Sequence, residues 1–156
     1  MELDDVDRGI LHMLQDDARN NSAAVIADEV GVAPNTVRNR IERLEERGVI
    51  DGYYPHIDYE RAGYQLHVIF VCSVPISDRR EFADAALDTE GVIRVNEILS
   101  GRENLAVEVV GSDSEAITAI ASELEATGCD ISDEWFLRNT SVKPFNHFGA
   151  EEVDGQ

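Results

Sequence analysis

Apolar positions recur at helical spacing through the first fifty residues, and from residue 65 onward they switch to strand spacing interrupted by two further helical stretches. The opening LDDVDRGILHMLQDDA predicts a helix with Leu3, Val6, Ile10, Leu11 and Leu14 inward, Asp4 as its cap and Asp7 completing an acidic first turn. Arg19-Asn20-Asn21 is a polar turn, and Ser22 caps a short second helix whose apolar side is Ala24, Val25, Ile26, Ala27 and Val30. Gly31 makes the next turn. Pro34 then suits the first turn of a longer helix that stops at Gly48, with Ala33 at a cap position where its side chain cannot cap. In that helix Val37, Ile41 and Leu44 fall at i, i+4 and i+7 and form one buried stripe. Three helices of this kind share one small core.

After Gly48 the period changes. Residues 49–54 predict a short strand, closed by Pro55 to Asp58, and Tyr59 to Gly63 a connector. Gln65 to Val74 is a strand with Leu66, Val68, Phe70, Cys72 and Val74 on one face and His67, Ile69 and Val71 on the other. A helix over Asp78 to Leu87, a strand from Gly91 to Leu99, a turn at Ser100 to Asn104 and a strand from Leu105 to Val110 follow. Ser112 or Asp113 caps a helix striped by Ile117, Ile120, Ala121 and Leu124, and Ile131 to Val142 is the last strand. The order β-α-β-β-α-β is the ferredoxin-like split unit. The fold expected is α+β, divided as 1–52 helix-turn-helix, 53–63 strand and linker, 64–146 ferredoxin-like domain and 147–156 a frayed acidic tail.

The helix pair on either side of Gly31 is the helix-turn-helix layout, whose second helix enters a DNA major groove. Asn35, Thr36, Asn39 and Arg43 point away from its buried stripe, and Arg38 and Arg40 flank it. Amides, a hydroxyl and guanidinium groups read base edges and hold phosphates. Asn35 to Arg40 carries arginines and no acid, in a chain with 32 acidic and 13 basic residues and a formal net charge of -19. Such acidity alone argues against nucleic acid as a partner. Lys143 is the only lysine, however, and the apolar pattern is full. That combination fits a protein adapted to molar intracellular salt, where the Debye length falls to ~3 Å.

Cys72 and Cys129 stand far apart, with no Cys-x-x-Cys and no Cys/His cluster, so a reduced cytoplasm is expected and a metal site is not. No apolar run is long enough to span a bilayer and the acidic start is no signal peptide. No catalytic residues and no cofactor are expected. The phosphate loops G-x-x-x-x-G-K-[ST] and G-x-G-x-x-G are absent, and His12, His56, His67 and His147 neighbour no nucleophile in a recognisable motif. Asp133 and Glu134 are adjacent strand residues that face opposite ways.

Three stretches together resemble the Lrp/AsnC family of prokaryotic transcription regulators: LDDVDRGILHMLQDDAR, VGVAPNTVRNRIERLEERGVIDGY and the sheet domain with its glycine turn at SGREN. The resemblance implies a winged or strand-extended helix-turn-helix, a dimer built through the sheets, and higher assemblies such as octamers. It also implies an amino acid or related metabolite as effector, held between dimers near Ser100, Gly101, Arg102, Glu103 and Asn104. Two positions depart from the family pattern. Asn104 stands where Asp is frequent, and Trp135 follows the acidic pair near a position that is often a small hydroxyl residue.

The resemblance and the long helix together predict a regulator that offers two such helices to successive major grooves about 34 Å apart. Asn35, Asn39 and Arg43 are expected on bases, and Arg38 and Arg40 mostly on phosphates. Arg40 could equally tie helices together. The alternatives are an enzyme of haem-pathway decarboxylase type on the same two-domain architecture, or a ligand-sensing subunit acting through partner regulators. An enzyme has no need for the exposed amide and guanidinium side of the long helix.

Overall fold

The computed structural model describes residues 1–99 and 101–148, with only the backbone of His147. The chain divides into two compact units. One is Met1–Pro55 with the segment that begins at Ser141; the other is His56–Thr140.

The first unit is built on α1 (Asp5–Asp17), α2 (Ala23–Val30) and α3 (Pro34–Glu46). Its core joins Ile10 and Leu11 of α1, Ile26 and Ala27 of α2, and Val37 and Leu44 of α3. Asp4 caps α1 reciprocally with Asp7: each side chain accepts from the other's backbone N–H, which satisfies two of the helix's free donors. Ser22 Oγ accepts from Val25 N to cap α2. Gly31 ends α2 at φ 75°, a left-handed conformation that glycine adopts without strain, and Gly31 N and Val32 N both donate to Ala27 O. Pro34 opens α3 behind an uncapped Ala33. A 3-10 turn at Asn146–Phe148 also belongs here. Phe148 packs on the helical core, Phe145 stacks edge-on against it at 5.0 Å, and Phe145 N donates to Gln15 Oε1.

The second unit is one antiparallel sheet with two helices. Its elements are β1 (Leu66–Ser73), a 3-10 turn (Ile76–Asp78) leading into α4 (Arg79–Leu87), β2 (Val92–Glu97), β3 (Leu105–Gly111), α5 (Ser114–Ala126) and β4 (Asp130–Phe136). The strand order β2-β3-β1-β4 is the ferredoxin-like arrangement expected from the sequence. Val68, Phe70 and Cys72 of β1 and Leu105, Val107 and Val109 of β3 pack with Ala83 and Ala86 of α4 and Ile117, Ile120 and Leu124 of α5. Asp113 caps α5 by accepting from Ala116 N.

Two strand expectations are corrected. Residues 49–54 form no strand, because no strand among the described residues pairs with them and an extended segment leaves its ladder groups unmet without one. The last strand stops at Phe136 rather than Val142. Its partner β1 begins at Leu66, two residues beyond the Val68–Phe136 pair, and Leu137 N makes one further bond to His67 O. A bulge between Val71 and Cys72 leaves Ser132 without a cross-strand mate, and Ser132 Oγ donates to Val71 O.

Candidate nucleic-acid interface

The outward side of α3 begins one residue after Pro34. Val37 and Leu44 are completely buried, which fixes the rotation of the helix. Asn35, Arg38 and Asn39 are then exposed and Thr36 is half-buried. Arg38 Nη1 donates to Asn35 Oδ1 at 2.8 Å, one turn apart, so an amide and a guanidinium lie side by side at the start of the helix. No acidic residue lies between Pro34 and Ile41.

Arg40 and Arg43 sit differently. Arg40 Nη1 donates to Asp4 Oδ2 at 2.6 Å and to Asp7 Oδ1 at 3.1 Å. Arg43 Nη2 donates to both oxygens of Asp7, at 3.3 Å and 3.1 Å. The Asp7 side chain is 1% exposed, that of Arg40 27% and that of Arg43 45%. A buried carboxylate is tolerated when paired and hydrogen-bonded, and Asp7 is both. The Asp4 carboxyl is lowered from 3.8 to about 2, first by the N–H of Asp7 that it accepts and then by Arg40. Arg43 lies off the buried stripe, as expected, but also bonds Asp7, and the tie expected of Arg40 as its second role is present. The signal was available in the sequence. Asp7 stands on the inward stripe with Ile10, Leu11 and Leu14, where an acid needs a partner.

The turn expected to hold an effector lies in the second unit. Ser100 is outside the described residues. Gly101 has φ 92°, a left-handed value that suits glycine, and Arg102 is exposed with its carbonyl accepting from Ser73 Oγ. Asn104 is 4% exposed, and its amide is committed: Val74 N donates to Oδ1 at 2.9 Å, and Nδ2 donates to Val74 O at 2.8 Å. A side-chain amide here copies a backbone pairing at the end of β1. An ionised Asp could accept from Val74 N but could not donate to Val74 O, so the departure to Asn has a structural cause. The Asn104 amide, expected near a ligand, is engaged by Val74 in this structure. In β4 the register sets Glu134 beside Phe70 and Asp133 beside Val71, on opposite faces, and Asp133 Oδ2 accepts from the Trp135 indole at 3.0 Å. On the face of Val71, His67 Nε2 lies 2.6 Å from Glu108 Oε1, and Arg94 lies 3.7 Å from the other Glu108 oxygen.

A three-helix unit with an amide-bearing outer helix, joined to a ferredoxin-like sheet unit, defines a two-domain helix-turn-helix regulator. Residues 3–51 match the model described as winged helix-turn-helix DNA-binding. The chain is 34% identical over 133 residues to the HTH-type transcriptional regulator AldR of Mycolicibacterium smegmatis, covering 84% of this chain and 77% of that protein. It is 30% identical over 147 residues to the HTH-type transcriptional regulator LrpA of Mycobacterium tuberculosis, covering 93% of this chain and 96% of that one. Among solved structures, MtbAldR superposes with a TM-score of 0.74 at 30% identity, over 92% of this chain and 99% of that chain. The feast or famine regulatory protein of M. tuberculosis, solved in complex with L-methionine, shares the fold with a TM-score of 0.80 at 24% identity, over 91% of this chain and 96% of that chain. The chain belongs to the Lrp/AsnC family of HTH-type transcriptional regulators.

Proposed function

We propose that the chain is a sequence-specific regulator that reads duplex DNA with the first half of α3 and responds to an amino acid. The observation that carries the reading is the exposed set Asn35, Arg38 and Asn39, held outward by the buried Val37 and Leu44 on a stretch without acids. Asn35 and Asn39 present amides, the groups that pair with adenine edges in a major groove. Arg38 and Thr36 serve the adjacent phosphates. Arg43, tethered to Asp7 by one guanidinium nitrogen, keeps its remaining donors for base edges rather than phosphates.

The working form is a homodimer, or a higher assembly of dimers, acting in the cytoplasm on a pseudo-palindromic operator. Two α3 helices then meet successive grooves about 34 Å apart. A relative of the same fold was solved with L-methionine, which supports an amino acid as effector here. Ser100, Gly101, Arg102, Glu103 and Asn104 are the residues proposed for that ligand, with the Asn104 amide supporting the turn through Val74. The relatives named as transcriptional regulators favour this reading over an enzyme of tetrapyrrole type. The net charge of -19 supports adaptation to high salt.

Genome-wide mapping of bound DNA, with and without a panel of amino acids, tests the reading. Discrete sites sharing a two-fold-related motif, with occupancy changed by at least one amino acid, are expected. Occupancy without any shared motif would contradict it.

A further inference from the structure

Among the described residues, Asp7 is the charged side chain most completely buried, and both cations that neutralise it come from α3. Asp4 adds the shortest contact of the cluster, to Arg40 at 2.6 Å. The cap carboxylate Asp4 and the α1 carboxylate Asp7 thus face two of the three arginines of the recognition helix. Arg40 and Arg43 keep 27% and 45% of their side-chain surface open, so a DNA phosphate could reach them. Carboxylate and phosphate oxygens compete for the same guanidinium fork. Asp5, between the two, is fully exposed and pairs only loosely with Arg8 at 3.6 Å.

We propose that Asp4 and Asp7 are positioning residues that hold Arg40 and Arg43 back from the DNA backbone, limiting how many phosphates α3 neutralises and so keeping DNA binding tolerant of salt. This rests on the DNA-binding reading above. Each phosphate neutralised releases counterions and steepens the fall of affinity with salt by about 0.9 in a log–log plot. Two arginines already neutralised by the protein's own carboxylates withhold about 1.8 of that slope per DNA-binding unit. An intramolecular carboxylate releases no counterion when DNA binds, so the device fits a chain adapted to concentrated salt.

The test is fluorescence anisotropy of a labelled 30-base-pair duplex titrated with full-length protein across a KCl series. Wild type is compared with Asp4→Asn, the Asp4→Asn/Asp7→Asn double variant and the control Asp5→Asn. Asparagine keeps the capping acceptor at position 4 and removes only the charge. The slope should steepen by up to about 0.9 per unit for Asp4→Asn and by about 1.8 for the double variant, with tighter binding at low salt. Asp5→Asn, which changes the charge equally without touching the clamp, should leave the slope as in wild type. Should the double variant fail to fold, Asp4→Asn against Asp5→Asn decides. An unmoved slope in Asp4→Asn, or equal steepening in Asp5→Asn, overturns the clamp while the DNA-binding reading stands. A wild type that binds no duplex at any KCl concentration overturns that reading and the clamp with it.

Discussion

The outer face of α3 and the turn at residues 101–104 both carry amides and guanidinium groups, and they use them in opposite ways. On α3 the buried stripe of Val37 and Leu44 carries the packing, so Asn35 and Asn39 are left facing solvent. At the turn the backbone of Val74, just past the end of β1, needs polar partners. Asn104 supplies them, spending its amide on both backbone groups of Val74. Side-chain chemistry alone therefore does not mark a ligand contact. What marks it is whether the local backbone can be satisfied without that side chain. The same contrast runs within α3, where Asn35 to Asn39 face outward and Arg40 and Arg43 turn to Asp4 and Asp7.

The largest effect is expected from exchanging one atom in Asn104. Asn104→Asp replaces a donor with an acceptor opposite Val74 O, and should destabilise the fold by about 1–3 kcal/mol in urea unfolding. Asn39→Ala, at an exposed site without a structural partner among the described residues, should stay within about 0.5 kcal/mol in the same assay. Equal effects at the two asparagines would erase the distinction.

A smaller effect sharpens the contrast within α3. The folded-state carboxyl of Asp4 lies at about 2 against an ordinary 3.8. A depressed carboxyl stabilises the fold above the ordinary value and loses that contribution as pH falls toward the folded value. Wild type should therefore exceed Asp4→Asn in thermal midpoint near pH 7, with the gap closing between about pH 4 and pH 2. A gap that persists unchanged below pH 2 would mean that Asp4 acts through something other than its charge.

Much of this architecture was readable before any coordinates. Caps at Asp4 and Ser22, a third at Ser112 or Asp113 that the structure gives to Asp113, the proline start of α3 and the alternation in β1 and β3 are local signals, and local signals survive folding. The unreadable parts depend on distant partners. Residues 49–54 have strand composition but no strand beside them among the described residues. The end of β4 is set by where β1 begins, more than sixty residues earlier. Phe148, read as the edge of a frayed tail, packs on the first unit's core, 138 residues from Ile10 in sequence. The tail beyond it, 149–156, lies outside the described residues. Of the candidate interface, the exposure of Asn35, Arg38 and Asn39 follows from helical periodicity. The diversion of Arg40 and Arg43 requires contacts across 33 to 36 residues, which periodicity does not carry.

Regulation by this chain requires the first half of α3 to choose DNA sequence. The most direct measurement is selection of bound duplexes from a random pool by wild type and by the Asn35→Ala/Asn39→Ala variant, with folding of both verified by circular dichroism. Wild type should enrich a two-fold-related motif, and the variant should lose preference at specific positions of each half-site while still binding duplex non-specifically. Recovery of the same motif with undiminished preference by the variant would contradict it.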